Sequence, residues 1–344
     1  MTPLHRVACA AIGGIATFTP LCPAALAQDA AQFYKGKTVE MVIPYGPGTG
    51  YDVYARLPVR HLGHHIPGAP TIVAKNMPGA GGLSGANFLY NVAAKDGSVI
   101  GTVNQNAPTH QIIGTAGIKY DARKYVWIGR VNSNVEVFHT WHTSPIKTIA
   151  DAFKMEALAG GTGPTSSSVV MPNVLNQLVG TKFKVISGYS GSEATLLAME
   201  RGEVHGGVRP WAIIKTQSAQ ALKEKKINLI VQFTLERHPE IPDVPTAIDL
   251  AKTGEAREML SLLASGSAIG RSIMAPPGLP DDRARTLRQA FAATMKDPAL
   301  LAEAKKAGLD LDFMSGERLQ DVVETIFDVS PSTAAKVKEL TGGN

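Results

Sequence analysis

Val39-Glu40-Met41-Val42-Ile43-Pro44-Tyr45-Gly46-Pro47-Gly48-Thr49-Gly50-Tyr51-Asp52 is an apolar run that breaks into a glycine-proline turn and then enters a helical pattern. A strand, a tight loop and a helix start leave several backbone N–H groups aimed at one spot, where the helix dipole also favours negative charge. A second copy of this arrangement follows at Val73–Gly85, Val-Ala-Lys-Asn-Met-Pro-Gly-Ala-Gly-Gly-Leu-Ser-Gly. Two such loops in the first quarter of the chain predict a protein that grips an anionic small molecule with its main chain.

Outward from these loops, short β-rich runs alternate with helix-length amphipathic segments, which predicts an α/β fold with largely parallel sheets. Strands at Val39–Pro44, Thr71–Lys75 and Val99–Asn104 are separated by helices at Tyr51–His65 and Leu83–Ala94. Extended runs at Val126–Val131 and Val135–His142 lead into a second set, with strands at Ala157–Gly161, Lys182–Ser187, Val204–Val208 and Ile227–Thr234. Helices at Ile149–Met155, after Thr165 and at Glu193–Arg201 intervene. A strand at Ile273–Gly278 and helices at Asp281–Met295, Pro298–Ala307 and Glu317–Leu340 complete the chain. The simplest packing returns this last third to the first domain. The domains are then 28–132 with 234–344, and 133–233, joined by a hinge of two crossings near Asn132–Val135 and Gln232–Leu235.

Residues 1–27 read as an export signal: Arg6 supplies a positive start, Val7–Phe18 is apolar, and Ala25-Leu26-Ala27 is an A-x-A cleavage site. Cys22 raises a lipoprotein alternative, against which Leu21 stands where a small residue belongs. Both cysteines, Cys9 and Cys22, fall in this segment, so the remaining chain has no thiol chemistry or disulfide. Of 34 Lys+Arg against 29 Asp+Glu, the segment removes only Arg6, leaving 33 against 29. This mild positive balance suits an anionic ligand and shows no basic stripe for nucleic acid.

Several motifs invite other readings. Gly46, Gly48 and Gly50 give G-x-G-x-G, but a dinucleotide turn wants its third glycine where Tyr51 stands, and Pro47 lacks the N–H that a pyrophosphate would use. Gly188-Tyr189-Ser190-Gly191-Ser192 has the context of a hydrolase nucleophile elbow, with Ser where the last glycine belongs and only His238 as a later histidine beyond His205. His61, His64 and His65 cluster at a helix end, where basic groups are favourable without any metal. His139 and His142 lie three apart in a strand and point to opposite faces. Gly160–Ser168 is a better binding candidate: it follows a strand, opens a helix, and offers amides and hydroxyls together, with Thr165 or Ser166 as the cap. Across a cleft from Tyr45–Tyr51 it would complete a site between two domains.

The chain resembles the Bug-type extracytoplasmic solute receptors, the substrate-binding subunits of tripartite tricarboxylate transporters. Pro44-Tyr45-Gly46-Pro47-Gly48-Thr49-Gly50-Tyr51-Asp52-x-x-Ala55-Arg56 follows that family's P-F-P-P-G-G-G-T-D-x-x-A-R, and Lys75–Ala86 its E-N-R-P-G-A-G-G-x-I-G-A. Asp96-Gly97, Tyr189 with Gly191, Gly202-x-Val204, Pro242-Asp243-Val244-Pro245-Thr246, Ala275–Pro280 and Asp297-Pro298 match further elements in order. The resemblance implies a type II-like, two-lobed periplasmic binding protein. It would be a monomer that is not an enzyme and carries no cofactor or metal. It would hold a di- or tricarboxylate or an aromatic acid and hand it to transporter subunits in the membrane.

Carried over residue by residue, binding falls to Tyr45, Gly48, Thr49, Gly50 and Tyr51, to Gly79, Ala80, Gly81 and Gly82, and to Thr162, Gly163, Thr165, Ser166 and Ser167. Asp52 and Arg56 take a loop-and-helix-start role, and Tyr189 stands in the family's tyrosine position. The chain departs from the family pattern at Val169, Ser190, His205 and Arg209-Pro210-Trp211. There, Arg209 and Trp211 are candidates to read a second carboxylate or a ring, with a solvated Arg209 as the alternative. A secreted hydrolase using Ser190 and a ligand sensor for a membrane kinase are the competing functions.

Overall fold

The computed structural model describes residues 30–163 and 166–341. The predicted export segment 1–27 and Thr165 lie outside the described residues.

Among the described residues eleven strands form two sheets. The first holds β1 (Thr38–Ile43), β2 (Thr71–Asn76), β3 (Val99–Gly101), β4 (Val126–Asn132), β10 (Arg271–Ala275) and β11 (Met314–Ser315), in the order β11-β4-β10-β3-β1-β2. The second holds β5 (Glu136–Trp141), β6 (Ala157–Gly161), β7 (Phe183–Ser187), β8 (Gly206–Pro210) and β9 (Ile227–Phe233), in the order β7-β6-β8-β5-β9. Each sheet is the centre of one lobe and has apolar clusters against it: Val39, Met41, Ile43 and Phe291 belong to one on the first sheet, and Phe138, Ala159 and Val231 to one on the second.

The sheets are mixed, where the sequence predicted largely parallel ones. β1 pairs in parallel with β2 and β3, and β6 with β7 and β8, but β10 is antiparallel to β3 and β4, and β5 to β8 and β9. Parallel neighbours need a crossover segment to bring the chain back to its start. The run from β4 to β5 passes straight from one sheet into the other through residues 133–135, with no such return, so β5 enters in the opposite sense.

The way back differs from the predicted crossing at Gln232–Leu235. The Ala247 N–H donates to the Gln232 carbonyl at 2.9 Å, and Ala247 and Ile248 pack in the second lobe's core. Residues 234–250 therefore stay with β9, and the return runs through a helix at Gly254–Ile269 that the sequence reading missed. Its Met259, Leu262 and Ile269 pack in a first-lobe cluster, while Leu260 and Ala264 pack in the second. A helix buried on both sides shows little amphipathic contrast, and small residues (Ser261, Ser265, Gly266, Ser267) blur what remains. The predicted helix Glu317–Leu340 is two helices, Gly316–Phe327 and Pro331–Leu340, because Pro331 starts a new helix behind the Ser330 cap. Among the described residues no helix is long and apolar enough to cross a membrane.

Candidate functional site

Register places the first two loops side by side. β1 and β2 run in parallel with Val42 opposite Lys75 and Ile43 opposite Asn76, so Pro44–Tyr51 and Met77–Gly82 leave the sheet at the same edge. β3, with Gly101 opposite Val42, sends Thr102–Asn106 out of that edge as well. The antiparallel β10 then delivers its first residue, Arg271, to the place where β4 ends, opposite Asn132. In the second sheet the same logic sets Glu136, the first residue of β5, opposite Pro210, the last of β8. The carboxyl edges of both sheets thus meet at the crossing, the position where open α/β sheets bind ligands.

The first loop is held from beneath by Asp52, which is only 4% exposed. Its carboxylate accepts from the Gly48 N–H at 2.9 Å, Arg56 Nε at 2.8 Å and Asn76 Nδ2 at 2.8 Å. Asn76 Nδ2 also donates to the Tyr45 carbonyl, and Arg56 Nη2 donates to Asn76 Oδ1, so strand end, loop and helix form one network. Burial pushes the Asp52 carboxyl up, but the bonds from Asn76, Gly48 and Arg56 outweigh it and hold the group below its usual range. Thr49 caps the helix Gly50–His65 by accepting from the Asp52 N–H.

Two stacked tyrosines join the loops, with ring centroids of Tyr45 and Tyr51 4.3 Å apart. The Tyr45 hydroxyl donates to the Gly81 carbonyl at 3.0 Å and accepts from Asn104 Nδ2 at 2.6 Å. Burial, then Tyr51 beside it, pushes this phenol up to about 12, so it remains a donor at any ordinary pH. The Tyr51 hydroxyl accepts from the Gln105 N–H at 2.8 Å. Gly79, Gly81 and Gly82 take positive φ of 150°, 65° and 96°, and Ala80 takes 45°. That sequence of left-handed residues turns the chain sharply enough to present successive amides outward. The N–H groups of Gly50, Tyr51, Ala80 and Gly81 have no acceptor among the described residues.

Arg271, which the sequence reading did not single out, supplies a cation at this point. Its guanidinium lies 4.1 Å from the Tyr51 ring centroid, and Nη1 donates to Gln105 Oε1 at 2.7 Å. Nη2 sits 3.7 Å from where a Cβ on Gly50 would stand. Close enough to feel its charge, Glu136 has an enclosed Oε2 with no hydrogen-bond partner among the described residues. Burial pushes the Glu136 carboxyl up, against lowering effects of Ser167 and Arg271.

Ser167 opens the helix Ser167–Val179 and, with Asn106, Thr109, His110 and Met171, lines a recess of about 260 Å³ between the lobes. The rest of that loop is largely turned on itself. The Ser168 hydroxyl accepts from the Thr162 N–H, and the Ser166 hydroxyl donates to the Gly163 carbonyl at 2.7 Å. Tyr189 lies half-buried beside Gly160 on the second lobe's carboxyl edge.

Arg209 and Trp211 do not join this constellation. Arg209 is 1% exposed inside the second lobe, with Nη2 donating to Glu193 Oε1 at 2.8 Å and Gln217 Oε1 at 2.9 Å. It is neither a carboxylate reader at the cleft nor a solvated charge. Strand alternation turns it toward the helices that cover β8. Trp211 Nε1 donates to Glu240, and the residue lines a separate recess with Ser133, Lys215 and Asp312. There Lys215 bridges the lobes to Asp310 at 2.8 Å. Ser190 makes no side-chain hydrogen bond to a described histidine, and His61 and His65 are each engaged by one carboxylate, Glu303 and Asp297.

Residues 62–340 match the family described as the tripartite tricarboxylate transporter family receptor. A UPF0065 protein of Bordetella bronchiseptica is 25% identical over 311 residues, 86% of this chain and 85% of that one. A solute-binding protein of the same family from Polaromonas, solved without ligand, superposes with a TM-score of 0.68 at 19% identity, over 90% of this chain and 100% of that one. An R. palustris protein solved with adipate gives a TM-score of 0.55 at 18% identity, over 89% of this chain and 97% of that one. The chain belongs to the tripartite tricarboxylate transporter receptor family.

Proposed function

We propose that this protein is an exported, periplasmic receptor that captures a small carboxylate at the crossing of its two lobes and delivers it, unaltered, to a membrane transporter. One observation carries the reading: the amides of Gly50 and Tyr51, without an acceptor among the described residues, lie on the loop that the Arg271 guanidinium covers, and those of Ala80 and Gly81 are equally free on the loop tied to it through Tyr45. Amides fixed by a network beneath them bind an oxyanion with little reorganisation, and a guanidinium adds charge and a planar fork. The family's role and the adipate in the R. palustris neighbour fit this chemistry. The bound acid leaves as it entered, in keeping with the family's receptor role. The second lobe contributes Ser167 and Glu136, and the protein works as a monomer whose lobes close on the ligand.

Thermal unfolding across a panel of mono-, di- and tricarboxylates tests the proposal. A ligand that binds only the folded state raises stability by RT ln(1 + [L]/Kd). At least one acid should raise the melting temperature in a concentration-dependent way. A response to neutral sugars alone would refute the reading.

A further inference from the structure

Glu136 is an odd residue to find in a carboxylate site. A buried acid facing a bound anion costs free energy unless something positive or hydrogen-bond-donating stands between them. Arg271 does not serve as that partner: the two charges feel each other, yet Glu136 Oε2 accepts no hydrogen bond from any described residue, and Arg271 Nη1 is committed to Gln105. The guanidinium is also pinned flat on Tyr51, 4.1 Å from its centroid, on the side of the amides of Gly50 and Tyr51. Glu136 is fixed independently, as the first residue of β5 paired with Pro210 on one side and Phe233 on the other. The site therefore presents a cation with free amides on the first lobe and, where the chain enters the second, a carboxyl with Ser167 beside it whose Oε2 is left without a donor among the described residues.

We infer that this receptor selects acids bearing an ammonium group next to the carboxylate, with the carboxylate on Arg271 and the amides of the first two loops and the ammonium on Glu136. The inference rests on the carboxylate-receptor reading and narrows it to 2-amino acids. A zwitterion brings no net charge into a site that holds one cation and one anion. Its three N–H donors satisfy an acceptor that is otherwise enclosed and unmet. The acid without the amine leaves Glu136 Oε2 unmet and adds an anion beside it.

The test uses matched pairs that differ only by the amine: aspartate against succinate, glutamate against glutarate, phenylalanine against 3-phenylpropionate. Affinities are measured by calorimetry on the exported form of the chain. In at least one pair the amino acid should bind about tenfold tighter or more, the scale of one charge-assisted bond. Glu136→Gln should reduce that ratio to about threefold or less and strengthen binding of the acid without the amine. Should Glu136→Gln fail to fold, Glu136→Asp keeps the charge at a shorter reach and should lower the ratio while preserving its sign. Equal or tighter binding of the amine-free acids, or an amine preference that survives Glu136→Gln, overturns the inference and leaves a carboxylate receptor. If no acid of either set binds while a neutral solute does, the receptor reading itself falls.

Discussion

Asp52→Asn isolates the part of the site that carries no ligand contact of its own. The native carboxylate is 4% exposed and accepts from three donors: the Gly48 N–H, Arg56 Nε and Asn76 Nδ2. An amide in its place has one acceptor atom and must turn its NH₂ toward at least one of those donors. The variant then loses one hydrogen bond to a charged group, about 1.5–3 kcal/mol, and an i,i+4 ion pair worth about 0.3–0.5 kcal/mol. A loss of about 2–3 kcal/mol should lower the melting temperature by several degrees at pH 7. The bond most exposed to the swap is the one to Gly48, so the Tyr45–Tyr51 loop loosens and affinity falls with stability.

The pH dependence adds a second check on Asp52→Asn. Hydrogen bonds hold the Asp52 carboxyl below its ordinary value, so its contribution is present above the unfolded pKa of ~3.9 and lost as pH falls through the folded one. The deficit of the variant should therefore shrink as unfolding curves are taken from pH 7 towards pH 3. Equal melting temperatures at pH 7, or a deficit unchanged in acid, would refute the network account.

Other outcomes follow from the same geometry. Arg271→Gln should weaken carboxylate binding roughly 10- to 100-fold, the range of one charge-assisted contact, with Arg271→Lys recovering part of it and far-UV circular dichroism unchanged. Burial pushes the Glu136 carboxyl up, so its destabilising effect is absent below the unfolded pKa and complete once pH rises through the folded one. Ligand-free Glu136→Gln should therefore melt above the parent protein at pH 8 and level with it near pH 4. Burial, then Arg209, holds the His139 imidazole down to about 4 against 6.5. Stability should accordingly be lost as pH falls from 6.5 towards 4, by about 3 kcal/mol in all. Urea unfolding of His139→Gln should show a smaller loss over that interval.

Much of the loop edge of the first sheet was legible in the sequence because it depends on local rules. The run from Val39 to Asp52 and its copy from Val73 to Gly85 are strand-turn-helix patterns whose glycines and cap residue can be read in order. What failed depends on pairing between distant segments. Arg271 reaches the site only because β10 runs antiparallel to β3, and the sequence offered Ile273–Gly278 as that strand, which leaves Arg271 outside it. Arg209 and Trp211 looked like cleft residues because they stand at a strand end, but Arg209 on β8 is engaged by Glu193 and Gln217, and Trp211, which opens the next helix, by Glu240, 29 residues away. The helix Gly254–Ile269 escaped because burial against two lobes removes the one-sided pattern on which helix reading depends. Glu136 could have been flagged as an acid opening an otherwise apolar strand, although the enclosure of its Oε2 without a donor among the described residues is visible only in three dimensions.

The most direct test is a crystal structure of the protein with a carboxylic acid that stabilises it. The account predicts a carboxylate oxygen within hydrogen-bond distance of the amides of Gly50 or Tyr51 and of Ala80 or Gly81, with Arg271 alongside. An acid seated instead in the recess of Ser133, Trp211 and Asp312, with those amides empty, would contradict it.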